Sequence, residues 1–148
     1  IIACLVGSEM CIRDSQKPIA DNLFTWPSDQ PKLLGSRDTE TGRYFFPAKK
    51  SNTHEQVELS RKGKLWTWTV QRFMPKTPYI GAENPEDFKP YAVGYIELPG
   101  EIMVESRLEG VDPEDLKIGM EMELSIDPFV KNEDGEELMM FSFRPCKN

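Results

Sequence analysis

The chain has 148 residues with 25 acidic and 18 basic side chains, which gives a formal net charge of −7. This length suits one domain, or one domain with a small appendage, and a hydrophobic content of 39% is enough to build a core. No apolar run approaches the roughly 18 residues of a membrane span. The acidic balance also argues against broad binding to a nucleic-acid backbone, which needs clustered Lys and Arg.

The first fifteen residues, IIACLVGSEMCIRDS, differ in character from the rest of the chain. Glu9 and Arg13 interrupt the apolar residues and no basic segment precedes them, so a signal peptide is not expected. Residues 4–15 resemble a translated transposase sequencing adapter. We interpret residues 1–15 as a read artefact, with a genuine N-terminal tail as the alternative. Cys146 is then the only cysteine left, which favours a reducing, cytoplasmic compartment.

Residues 16–32 are polar and interrupted by proline, without sustained helical periodicity. They are predicted to form an N-terminal arm carrying Leu23, Phe24 and Trp26. These side chains suit either a protein interface or packing on the chain's own body.

Two short strands joined by a tight turn are predicted next, at 33–37 and 43–47. The following polar segment, 48–56, is predicted to be a loop with His54, the only histidine, exposed to solvent.

Strand signals become dense after a turn at 61–64. A proline-rich segment, 75–90, is predicted to be an ordered functional loop. Residues 112–119 are predicted to form a short helix that Asp112 caps. The predicted strands are 65–70, 91–98, 101–108, 120–127 and 138–143.

Three strands, a short helix and two further strands follow the order of an OB-fold, a five-stranded Greek-key barrel. The fold class is therefore predicted to be mainly β, with a five-stranded OB-fold barrel and one short helix after a small β-hairpin region. A small β-sandwich is the alternative.

Catalytic motifs are poorly represented in this sequence. It contains no nucleophile elbow, no phosphate loop and no paired metal-ligating histidines. Cys146 has no base near it in sequence, and His54 has no acid placed to orient it. The acidic residues of the 120–127 strand, Glu121 and Glu123 among them, are interpreted as a solvated face. No catalytic or metal-binding residues are predicted.

The aromatic residues are the more informative set, because they gather around the proline-rich loop and its flanking strands. They can stack on the adenine of a nucleotide-like cofactor or pack against a partner. A stacking platform for single-stranded nucleic acid is the alternative, and the acidic charge disfavours it. The candidate binding residues are Trp66, Trp68, Phe73, Tyr79, Phe88 and Tyr91.

Three segments, 90–98, 110–120 and 143–145, resemble the acyl-CoA-associated OB-fold family. Members of that family carry an N-terminal rubredoxin-like zinc ribbon ahead of the barrel. Residues 33–60 resemble the frame of that ribbon. The resemblance implies four parts: the artefact at 1–15, the arm at 16–32, a ribbon at 33–60 and an OB-fold domain at 61–148.

The ribbon departs from the family at its metal site. Asp38 and Thr41 stand where the family has its first pair of cysteines, and the segment 48–55, where the second pair should fall, contains none. A structural zinc needs four good ligands, usually thiolate or imidazole. The ribbon is therefore expected to be degenerate and to have lost its zinc.

The resemblance implies a non-catalytic accessory subunit that associates with a thiolase-like or related acyl-CoA enzyme in lipid or steroid side-chain metabolism. Acyl-CoA is a candidate ligand that the chain would help to bind or channel. The arm around Trp26 and the loop from Phe73 to Tyr91 are the predicted contact surface. The alternatives are a nucleic-acid-binding OB module and an enzyme in its own right, such as an acyl-CoA hydratase.

Overall fold

The computed structural model describes residues 16–77, 79–82 and 84–146, so the segment interpreted as an adapter lies outside the described residues. Nine strands in these ranges form two sheets, and the helical segments found there are two 3₁₀ turns, Pro85–Asp87 and Pro113–Asp115. None of the helical segments described is long and apolar enough to cross a membrane.

The strands are short in the first third of the chain and long in the rest. Four of them precede residue 60 and five follow it. Their bounds are β1 Gln16–Pro18, β2 Leu34–Asp38, β3 Tyr44–Phe45, β4 His54–Glu58, β5 Lys62–Gln71, β6 Tyr91–Glu97, β7 Met103–Leu108, β8 Glu121–Lys131 and β9 Glu137–Pro145.

The last five strands close into a barrel. Hydrogen bonding runs from β5 to β6, β7, β9 and β8, and β8 pairs again with β5. All of these pairs are antiparallel except β7 with β9, which meet in parallel where Leu108 pairs with Phe143. This is the strand order of an OB-fold. The mainly β class and the five-stranded barrel are confirmed, and the β5–β8 pairing excludes the open sandwich.

Two glycines allow the barrel strands to pack closely. A Cβ atom on Gly63 would lie 2.5 Å from the carbonyl oxygen of Glu97, and one on Gly94 would lie 2.6 Å from that of Thr67. Real side chains do not tolerate such distances, so both positions require glycine. Gly63 also lies inside β5, and the predicted turn at 61–64 is therefore wrong: the strand begins at Lys62.

A single hydrophobic core joins the barrel to the smaller sheet. Phe143, Met122 and Ile96 are fully buried inside the barrel, and Leu33 and Leu59 are fully buried where the smaller sheet meets it. Because both groups belong to one cluster, the smaller sheet is held to the barrel by apolar packing.

The smaller sheet has three strands in the order β3-β2-β4. His54 begins β4 and pairs with Asp38 of β2. The prediction of a loop over 48–56 is therefore wrong for its last three residues. The strand was missed because β4 is almost entirely polar: Val57 is its one apolar residue, so no alternation of apolar and polar residues is visible.

The predicted helix at 112–119 is one 3₁₀ turn, Pro113–Asp115. Asp112 makes no side-chain capping bond, and Leu116 already has an extended backbone. The physical reason is burial: Leu116 packs into the core immediately after the turn, which a continuing helix would prevent.

The arm folds onto the chain's own body. Phe24 is buried, forms an isolated β-bridge with Leu33 and contacts the Trp26 ring edge-on. The Trp26 indole nitrogen donates a hydrogen bond to the Gln16 carbonyl oxygen at 3.2 Å. Of the two interpretations of the arm, packing on the chain itself is the one observed for these side chains.

Two methionines provide a matched test of the barrel core. Met122 is fully buried and Met103 is 41% exposed. We expect Met122→Ala to lower the free energy of unfolding by about 2–5 kcal/mol because it leaves a cavity. Met103→Ala should change it by about 0.5 kcal/mol or less. Urea denaturation measures both, and equal losses would contradict the assigned core.

Candidate functional site

The outer face of β5, β6 and β7 carries the exposed aromatic residues. A β-bulge in β5 places Leu65 opposite Ile96 but Thr67 opposite Tyr95. In a regular strand Trp66 and Trp68, two residues apart, would point to the same face of the sheet. The bulge inserts one extra residue, so the two side chains point to opposite faces. Trp68 packs against the core, whereas the Trp66 ring lies edge-on to Tyr95 at 6.4 Å on the outside.

Trp66, Tyr95 and Met103 form what we call the outer patch. Their exposed fractions are 52%, 42% and 41%, which is high for large apolar side chains. Cross-strand pairing places Glu105 opposite Tyr95 and Glu97 opposite Met103. The patch is therefore apolar at its centre and bordered by carboxylates.

A second group, the loop cluster, consists of Tyr79, Phe88 and Tyr91. The Tyr79 and Tyr91 rings stack at 6.4 Å with an interplanar angle of 14°, and Phe88 meets each of them edge-on at 6.1 and 5.9 Å. Tyr91 belongs to β6, so the cluster fixes the proline-rich loop to the barrel. Offset and edge-on pairs of this kind each stabilise by about 0.5–1.5 kcal/mol beyond burial.

Arg107 of β7 supports the loop cluster from the barrel side. Its guanidinium carbon lies 3.9 Å from the ring centroid of Tyr91 and 5.0 Å from that of Phe129. Burial raises the pKa of the Tyr91 phenol above its ordinary value, Tyr79 adds to the rise, and the positive charge of Arg107 opposes it. The phenol is therefore neutral at physiological pH and serves as a flat packing surface.

Two large apolar side chains, one just before the proline-rich segment and one within it, project into solvent. Phe73 is 82% exposed and Ile80 is 52% exposed. Single exposed apolar residues are common, but these lie beside and within a loop that is itself anchored to the barrel. They extend the apolar surface beyond the strands.

The six candidate binding residues thus divide into four places. Tyr79, Phe88 and Tyr91 come together, Trp66 joins Tyr95, Phe73 stands alone, and Trp68 belongs to the core. The structure adds four residues that are not among the six candidates, Tyr95, Met103, Arg107 and Phe129. For the two on β7, the alternation of the strand was the available signal, because it places them on the outer face with Glu105.

Cys146, the free cysteine of the described residues, does not have the environment of an activated nucleophile. Burial raises the pKa of the Cys146 thiol, the Glu123 charge adds to the rise, and Lys62 opposes it. A raised pKa is the opposite of what an activated nucleophilic thiol shows.

The tip of the small sheet is held by hydrogen bonds where the family resemblance places metal ligands. The Thr39 amide and hydroxyl both donate to the Thr53 carbonyl oxygen, at 2.7 and 3.0 Å. The Asp38 carboxylate accepts the Glu40 amide at 2.9 Å. That bond is the main cause of a lowered pKa for Asp38, and the Thr41 hydroxyl adds to it.

These residues do not fit a structural zinc. Asp38 is engaged with its own turn, Thr41 offers a hydroxyl, and His54 is the only imidazole of the chain. In the part of the chain that the structure describes, no group of three His, Cys, Asp or Glu residues is placed to hold a metal ion.

Comparison with known proteins gives consistent matches. The family model described as the ChsH2 C-terminal OB-fold domain matches residues 56–127. A DUF35 domain-containing scaffold protein of Pyrococcus furiosus is 33% identical over 123 residues, covering 77% of this chain and 83% of the relative. The benzoylsuccinyl-CoA thiolase subunit BbsA of Thauera aromatica is 30% identical over 131 residues, covering 83% of this chain and 84% of the relative.

A solved structure described as the Ltp2-ChsH2(DUF35) aldolase shares the fold. It superposes with a TM-score of 0.56 at 22% sequence identity, covering 77% of this chain and 84% of that one.

Arg107 provides a test of how the proline-rich loop is anchored. Replacing it with Ala removes the cation–π contacts to Tyr91 and Phe129, each worth about 0.5–2 kcal/mol. We therefore expect tryptic cleavage after Lys76 to become about 2- to 30-fold faster in Arg107→Ala. Arg43→Ala, an exposed change in the small sheet, is the control. Equal cleavage rates in both variants would show that Arg107 does not hold the loop.

Proposed function

The chain belongs to the DUF35 family, and on that basis we propose that it is a non-catalytic accessory subunit that associates with a thiolase-like or related acyl-CoA enzyme. Two relatives support this proposal: one is named a scaffold protein and the other a thiolase subunit, and this chain matches more than four fifths of each.

The outer patch is the observation that carries the proposal. OB-folds bind their ligands on the face of the second and third strands and on the adjoining loops. In this chain that face presents Tyr95 and Met103, Trp66 lies beside Tyr95 on the first barrel strand, and the adjoining loop presents Phe73. Trp and Tyr dominate the energetically important positions of protein interfaces, so this face suits a protein partner.

The loop cluster supports a second part of the proposal, contact with the CoA portion of the partner's substrate. Tyr79 and Phe88 are the partly exposed rings that could take a ligand, because Tyr91 is already packed between Tyr79 and Arg107. Such surfaces stack well with a flat heterocycle such as adenine. We propose that the chain contributes to acyl-CoA binding here, while the reacting groups belong to the partner enzyme.

We also propose that the small sheet works without zinc. Its tip is already closed by the Thr39–Thr53 and Asp38–Glu40 hydrogen bonds, which occupy the groups that a metal would need. Apolar packing of Leu33 and Leu59 then secures the sheet to the barrel.

Association can be measured after co-expression with a thiolase-like enzyme encoded beside this chain. We expect Trp66→Ala or Phe73→Ala to weaken binding by about 2 kcal/mol, or roughly 30-fold in Kd, because each removes a large exposed apolar group. Isothermal titration calorimetry of the purified partners gives the Kd.

Glu133→Ala and Asp134→Ala are the controls, since both residues are exposed in the turn between β8 and β9, outside the strands that carry the outer patch. We expect them to change the Kd by less than about threefold. Equal effects from the two sets of variants would place the interface elsewhere and contradict the proposed contact surface.

Metal dependence is tested separately by chelation. Because the sheet is closed by hydrogen bonds, we expect the melting temperature to be the same with and without EDTA, and the purified chain to contain no stoichiometric zinc by elemental analysis. Thr39→Val, which removes one of the two bonds to the Thr53 carbonyl, should lower the free energy of unfolding by about 0.5–1.5 kcal/mol. A fall in melting temperature on chelation would overturn the zinc-free assignment.

A further inference from the structure

An open, basic pocket lies at the side of the small sheet, away from the outer patch. Its volume is about 480 Å³, and its lining includes the cationic or ionisable side chains of Lys49, Lys50 and His54. Asn22, Ser51 and Asn52 add amide and hydroxyl groups. None of the described residues that line it is acidic, although the chain as a whole carries a net charge of −7.

The two lysines of this pocket are not neutralised locally. No carboxylate among the described residues lies within ion-pair distance of Lys49 or Lys50, whereas Lys32 and Arg37 on the same sheet region pair with glutamates. Lys49 instead places its ammonium 3.8 Å from the ring centroid of Phe45. The pocket therefore keeps its positive charge available to an anion.

Contacts within the chain itself hold the wall of the pocket in place. The Lys49 amide donates to the Ser36 hydroxyl at 2.9 Å, and Ser36 is completely buried. The His54 amide donates to the Ser51 carbonyl oxygen at 3.2 Å. The His54 ring packs edge-on against Phe45 at 5.1 Å, so Phe45 links the histidine to Lys49.

His54 adds an imidazole to the lining of the pocket, and one of its ring nitrogens is unpaired within the part of the chain that the structure describes. Nδ1 of His54 is buried and has no hydrogen-bond partner among the described residues. Buried polar atoms normally find one. Asp38, which pairs with His54 across the sheet, accepts a hydrogen bond from the Glu40 amide, and the nearby charge of His54 is a minor cause of the lowered pKa of its carboxyl.

We propose that this pocket binds the phosphate group of a phosphate-bearing ligand. Ammonium, imidazole, amide and hydroxyl groups are the donors that hold phosphate oxygens, and here all four line one pocket whose lining contains no acidic residue among the described ones. The pocket is wider than a single phosphate, which suits a phosphate anhydride or a phosphate ester. This inference rests on the pocket alone and stands independently of the proposed partner enzyme.

The sequence supplies a direct readout, since His54 is the only histidine. Its ring C–H signals are unique in a carbon–proton NMR spectrum of the whole chain. We expect inorganic pyrophosphate, added at constant ionic strength, to move these signals along a saturating curve. The double variant Lys49→Gln/Lys50→Gln should weaken the apparent Kd about tenfold or more, because it removes two charge-assisted bonds.

The control variant is Lys117→Gln/Lys131→Gln, which changes the net charge equally at two exposed positions outside the pocket. It should leave the pyrophosphate titration unchanged. Equal weakening in both double variants would overturn the proposal, because the effect would then come from general charge. If sodium chloride moves the His54 ring signals in the same way as pyrophosphate does, the proposed phosphate site is also overturned.

A second titration of the same NMR signals uses coenzyme A as the probe, and it distinguishes a nucleotide-borne phosphate from a free one. Movement of the His54 signals by coenzyme A as well as pyrophosphate would support the pocket as a site for a nucleotide-borne phosphate. Movement by pyrophosphate alone would support a site for free phosphate groups. Binding of coenzyme A with no response of His54 to either probe would overturn the pocket while leaving the proposed function intact.

Discussion

The parallel contact between β7 and β9 determines most of this structure. Leu108 pairs with Phe143 at that point, and β9 then runs on beside β8, so one strand connects the two halves of the barrel. Because Phe143 is fully buried, the strand that makes this contact also contributes to the core. The barrel strands have one inner face and one outer face, and the outer face of β5–β7 carries the exposed Trp66, Tyr95 and Met103.

Two groups of residues use that outer face in different ways. In the loop cluster, Tyr91 and Arg107 pack against the proline-rich loop and hold it to the barrel. The side chains of the outer patch stay exposed to solvent. The difference follows from register: the loop leaves β5 and returns to β6 beside Tyr91, so only that end of the sheet is covered. An anchored loop next to an uncovered apolar patch is a geometry well suited to a protein interface.

The sequence predicted the barrel because period-2 patterning is strong in its long strands. Met122 and Leu124 alternate with polar residues in β8, and both are buried. The sequence pattern gave wrong predictions where contacts between distant parts of the chain determine the local structure. The β5 bulge separated Trp66 from Trp68, burial of Leu116 cut the expected helix to one turn, and pairing with Asp38 made His54 part of a strand. Arg107 was missed because its role depends on two rings brought together by folding.

The three tryptophans lie in three environments, and the bulge in β5 is what separates two of them, Trp66 and Trp68. Trp66 faces solvent on the outer patch, Trp68 packs against the barrel core, and Trp26 holds the arm through its indole nitrogen. Intrinsic fluorescence of the folded chain is consequently a mixture of one exposed, red-shifted emitter and two partly buried ones. Occupancy of the outer face, opening of the barrel and release of the arm each alter a different component, so the chain carries its own optical probes for all three events.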